Sequence, residues 1–174
     1  MKRTVWLWQL IGFALTVLLG TLLHFFYEWL GEAAWIAPFS GVNESTWEHM
    51  KLLFWPLLLF ALLQSFFFRS RGSFFSIKLR GILLGLGLIP LLYYTYNGVI
   101  GKSPDFVNIA IFFVAAGAAF FYEARLFYRE ATPRPRPRLA AALLCLIALL
   151  FAVFTFYPPS IELFRDPITG KFGI

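Results

Sequence analysis

The chain has 174 residues, 60% of them hydrophobic and 14% charged, with a formal net charge of +6. A soluble domain carries about 25% charged and about 45–50% apolar residues, so a soluble core is excluded and one multi-pass membrane domain over 1–174 is expected. The single cysteine, Cys145, excludes an intrachain disulfide and a cysteine-based metal cluster.

Five apolar runs follow in order, each near the roughly 18 residues needed to cross hydrocarbon. Their apolarity is continuous rather than alternating, which selects helices over a barrel. The first helix is predicted over about 5–28. Met-Lys-Arg precedes it as in a signal peptide, but its apolar part is longer than a signal core and no small-x-small site follows. It is expected to be a retained helix.

A polar stretch, "VNESTWEHM" (42–50), precedes the second helix, predicted over about 45–68. "STWE" has the capping-box pattern, with Ser45 as N-cap and Glu48 as its reciprocal partner; Asn43 is the alternative cap. "NES" is formally a glycosylation sequon, but no feature of the chain indicates a eukaryotic secretory pathway.

The third helix is predicted over about 78–100 and the fourth over about 105–128. "GILLGLG" (81–87) and "AAGAA" (115–119) offer small residues for close helix packing, expected between these two helices. Pro56 and Pro90 are candidate kinks. Glu123 is costly in lipid unless paired, and Arg125, Arg129 and Arg80 are its expected partners.

"TPRPRPRL" (132–139) leads into the fifth helix, predicted over about 139–157. The arginines read as a juxtamembrane cluster meeting anionic headgroups, and no nucleic-acid partner is expected. The tail, 158–174, begins after Pro158 and Pro159, which stop the helix. "DPITG" reads as a turn. The tail's Phe, Ile and Leu residues argue against disorder; it is expected either to fold over the outer mouth or to lie flat among headgroups.

Orientation follows from the basic residues. Lys2, Arg3, Arg69, Arg71, Lys78, Arg80, Arg125, Arg129, Arg134, Arg136 and Arg138 fall on the side of the N-terminus, against Lys51, Lys102, Arg165 and Lys171 on the other. The positive-inside rule predicts a cytoplasmic N-terminus and an extracytoplasmic C-terminus.

Both histidines and most carboxylates lie on the predicted outer side. His24 is about 28 Å along the first helix at about 1.5 Å per residue, at the outer edge of the hydrocarbon. Glu28 follows one turn later on the same face. His24, Glu28, Glu44, Glu48 and His49 form a candidate polar pocket, supported by Asn43, Ser45, Tyr94, Asn97 and Asp166. His24, His49 and Glu48 are the candidate ligands for zinc or another divalent transition metal.

"HFFYEWLGEAAWIAPFSGVNESTWEHMKLLFWP" and "TFYPPSIELFRDPITGKFG" resemble the DUF6512-type family of small bacterial integral membrane proteins. The resemblance implies a bacterial inner-membrane location and no particular activity. The layout is also distantly similar to that of the ceramidase-like hydrolases, which gather zinc ligands at one membrane face. This chain has two histidines, no His-x-x-x-His and five predicted helices, so that similarity is an analogy.

Three readings remain open from the sequence. The first is an outward His/Glu pocket, metal-binding or acting on a lipid or headgroup-level substrate. The second is a structural or assembly subunit with a protein partner or further copies of itself. The third is a small transporter, disfavoured because Gln9, Thr16, Gln64 and Ser65 are nearly the only polar residues of the inner half.

Overall fold

The computed structural model describes residues 2–68, 73–129 and 136–174. It contains five helices, α1 (Lys2–Trp29), α2 (Thr46–Phe68), α3 (Phe74–Val99), α4 (Asp105–Tyr128) and α5 (Pro137–Phe156). All five are long and apolar enough to cross a membrane. No strand occurs among the described residues, apart from an isolated bridge between Arg165 and Phe172 in the tail. Arg69, Arg71 and Arg134, which enter the basic-residue pattern, lie outside the described residues.

α1 packs against α2 and α4, α2 against α3, and α3 against α4; α5 lies mainly on α3. The core follows from small residues meeting large ones. A Cβ on Gly85 would touch Ala119 Cβ at 3.3 Å and the Ala115 carbonyl at 3.4 Å, so α3 and α4 approach closely along the predicted small-residue faces. Gly87 departs from that expectation and faces open space. α2 and α3 continue through Pro56 and Pro90 without a break. α3 starts earlier than predicted because Phe74 and Ile77 bury themselves against Val5, Leu126 and Phe127.

Between α1 and α2 the chain folds back on the end of α1. The Ser40 hydroxyl accepts from Tyr27 N–H at 2.9 Å and donates to the Leu23 carbonyl. Trp29, Leu30, Trp35 and Phe39 stay exposed nearby, as residues placed at a membrane surface do.

Lys51 is the main surprise of this end. It falls on the predicted outer side with three other basic residues, and it is fully buried there. Its ammonium meets Glu48 at 2.5 Å, the Ala37 carbonyl at 2.8 Å and the Thr155 hydroxyl at 2.9 Å. One cation thus ties the α1–α2 connection, α2 and α5 together.

The tail folds back. Asn43 Nδ2 donates to the Gly173 carbonyl at 2.9 Å, and Trp47 packs on Phe164 with ring centroids 4.6 Å apart. Gly173 has φ of +68°, and a Cβ there would approach Pro158 at 2.9 Å, so the closing turn requires glycine.

Candidate functional site

Ser45 caps α2, its hydroxyl accepting from Glu48 N–H at 3.3 Å. The capping box is only half formed. Glu48 turns its carboxylate to Lys51 and to Val42 N–H at 3.0 Å, while Asn43 Oδ1 takes Ser45 N–H at 2.9 Å. The expected metal set of His24, His49 and Glu48 is therefore not assembled, because the lysine one turn along claims the carboxylate.

Glu44 takes that place. Its carboxylate lies between the two rings, 3.5 Å from His24 Nε2 and 3.6 Å from His49 Nε2. The ring centroids are 5.9 Å apart. Glu28 is exposed on α1 and stays outside the trio. Among the described residues no group of three or more His, Cys, Asp or Glu is placed to hold a metal ion.

The orientation of His49 decides what the trio can do. Its Nδ1 lies 3.0 Å from the Ser45 carbonyl, which can only accept, so Nδ1 carries a proton. In the neutral ring Nε2 then presents a lone pair to a carboxylate oxygen. Two lone pairs repel, so the arrangement favours a proton or a cation between His49 and Glu44. A histidine held this way through its other nitrogen is oriented for proton exchange or ligation.

The trio opens on a cavity with two lobes that share Glu44, His49, Asp105, Asn108, Phe112 and Ile168. One lobe, about 320 Å³, is rich in polar groups: Thr46, Asn97, Lys102 and Ser103 join the shared residues there. Asn97 shapes it by accepting from Ser103 N–H at 2.9 Å, and Ser103 donates to Asn108 Oδ1 at 2.8 Å. The other lobe, about 450 Å³, runs between α1 and α4 and adds Gly20, Thr21, His24, Phe25, Ile109 and Phe113. Phe25, Ile109 and Phe113 are exposed, so this lobe opens sideways onto the surface that lipid would cover.

Asp166 and Tyr94 line a third cavity beneath the tail and neither of the two lobes. Asp166 organises the tail turn, accepting from the Thr169 hydroxyl at 2.5 Å and from Ile168 N–H at 3.0 Å. Burial works to raise its carboxyl, but these bonds, with those from the backbone of Thr169 and Glu44, hold it below the usual aspartate range.

Sequence reading named His24, Glu44, His49 and Asn97, which all line the lobes. It missed Lys102, Ser103 and Thr46 as lining residues, and Ile168 as the tail's contribution to both lobes. Only the hydrophobicity of "PIT" inside a turn hinted at the last.

Fold and cavity define a class: a five-helix protein built to span a membrane, with a polar cavity at one end of its bundle. The chain belongs to a family of unknown function, DUF6512, whose family model matches residues 2–174. No curated protein and no solved structure matches it.

Proposed function

We propose that this protein binds an amphiphile from the outer leaflet, with the headgroup in the polar lobe and the apolar chain leaving between α1 and α4. The observation that carries the reading is the joining of two unlike lobes at His49 and Glu44. A structural knot would need neither the empty volume nor the sideways opening. Ligand cavities are typically about 300–1,000 Å³, mostly apolar, with a few convergent polar groups.

His24, Glu44 and His49 are the proton-exchanging groups of this site. A headgroup hydroxyl or ammonium seated there would donate a hydrogen bond to the Glu44 carboxylate or to the free Nε2 of His49. Proton exchange is the ordinary role of a positioned histidine in acid–base chemistry. In the bacterial inner membrane the cavity would face the extracytoplasmic side, as the basic-residue asymmetry supports.

Native mass spectrometry of protein reconstituted with a mixed phospholipid extract tests the reading. Wild type is expected to retain one lipid per chain. Thr21→Trp, which sets a bulky ring at the exposed mouth of the lateral lobe, should abolish retention; His49→Gln should weaken it while the fold persists. No retained lipid in wild type, or retention unchanged by both substitutions, would overturn it.

A further inference from the structure

A second polar group lies at the other end of the bundle, away from the outer cavity. Gln9 of α1, Gln64 of α2, Lys78 of α3 and Glu123 of α4 are each 0–2% exposed. Lys78 meets Glu123 at 2.5 Å, replacing the arginine partners expected for this carboxylate. Gly81 makes the room, since a Cβ there would collide with the Glu123 side chain.

The four residues belong to one layer. On one side, Phe60 and Phe120 pack with centroids 5.8 Å apart, and both rings fill the space beside Gly12. On the other side Val5, Phe74 and Phe127 form a second cluster, with Phe68 against it. Gln9 falls between Val5 and Gly12, Gln64 between Phe60 and Phe68, and Glu123 between Phe120 and Phe127. The Lys78 ammonium lies 5.3 Å from the Phe60 centroid, 5.6 Å from that of Phe120 and 5.9 Å from that of Phe74. A polar layer, one residue from each of four helices, is enclosed by two aromatic ones.

Its hydrogen bonding is incomplete. Among the described residues, both amide atoms of Gln9, both of Gln64 and Glu123 Oε1 are buried without a partner. An ammonium has three donors, and among the described residues the one hydrogen bond it makes is to Glu123. Buried polar groups left unpaired are costly, and in hydrocarbon no solvent relieves them. A dry apolar layer would be better served by leucine at positions 9 and 64.

We infer that this layer is a binding site for internal water, bridging the two glutamine amides to the free oxygen of Glu123 and the remaining donors of Lys78. Buried water typically makes about 3 hydrogen bonds to such otherwise unpaired groups. The layer supplies both donors and acceptors, as water requires. A lone cation is disfavoured because the Lys78 ammonium already occupies the carboxylate.

X-ray hydroxyl-radical footprinting of the protein in lipid nanodiscs tests this, because radicals form at bound water inside a fold. After correction for intrinsic reactivity, Phe60, Phe74 and Phe120 are expected to label several-fold above Leu53 and Leu57, which are equally buried among apolar neighbours. Gln9→Leu with Gln64→Leu should bring them down to the Leu53 level and lower Tm, since the buried ion pair loses its bridging water. The single variant Gln64→Met, a close match in volume, should reduce labelling partway and keeps the test available if the double variant does not fold. Wild-type labelling no higher than at Leu53, or a double variant with raised Tm, would show a dry layer and overturn the inference.

Discussion

Lys51 is where a single residue matters most to the outer half. It is buried with its charge against Glu48 and its remaining donors on Ala37 and Thr155. Removing one partner of a buried pair strands the other, at a typical cost of about 3–5 kcal/mol, whereas replacing both with apolar groups is often neutral. Lys51→Met should therefore unfold the protein at much lower temperature, and adding Glu48→Leu should recover a large part of the loss. Equal Tm for the single and double variants would show that the pair is uncoupled. Glu48→Gln should also be costly, unlike the same change in a simple capping box, because Gln brings no charge to the buried ammonium. At Gly81 the same logic is steric. Gly81→Ala should destabilise the protein by roughly 1–3 kcal/mol through overpacking against Glu123, measured as a fall in Tm, despite alanine's better helix propensity.

At the scale of elements, the tail belongs to the site wall, since Ile168 lines both lobes. Its docking depends on Asp166, whose carboxyl is held below the usual range of about 3.9. A depressed folded value contributes stability that is complete above the unfolded value and disappears as pH falls through the folded one. Hydrogen exchange over 166–171, corrected for intrinsic rates, should show protection from neutral pH down to the ordinary aspartate range and loss of it below. Asp166→Asn should remove that acid-dependent step, and protection unaffected by this change would disconnect the carboxylate from the turn. The helices themselves were legible from continuous apolarity, and the α3–α4 contact from glycine and alanine spacing. What the sequence concealed were pairings between distant positions. Glu123 has three arginines nearby in sequence, yet the partner that reaches it is Lys78, 45 positions earlier, because α3 presents Lys78 and Gly81 on one face. Sequence groups Glu44 with both histidines, but that Glu44 rather than Glu48 lies between the two rings follows only when the α1–α2 connection folds back. Periodicity shows which face a residue occupies, not which residue meets it.

For the whole molecule, two polar regions stand at opposite ends of an apolar bundle, and their chemistry differs. The one around His24, Glu44 and His49 carries titratable groups around open volume, while the one around Lys78 and Glu123 is enclosed by aromatic rings. Between them Leu53, Leu57, Ile82, Ala115, Ala116 and Ala119 are fully buried, so among the described residues this part of the core is largely apolar, with Thr16 an isolated polar side chain. That separation argues against a transport path through one chain and for a site served from one side only. The basic residues predict which side, and the prediction is directly measurable. Arg136 and Arg138 sit at the start of α5, and Ile174 ends the chain at the opposite end of that helix. In a Cys145→Ser background, needed because Cys145 is free and exposed, Ile174→Cys should react with a membrane-impermeant maleimide on intact cells, whereas Arg136→Cys should react only after permeabilisation. Positive charge near helix ends orients membrane proteins by remaining cytoplasmic, so this pattern would put the His24–Glu44–His49 cavity at the extracytoplasmic surface. The reverse pattern would turn the cavity inward, and its amphiphile would then have to come from the cytoplasmic leaflet.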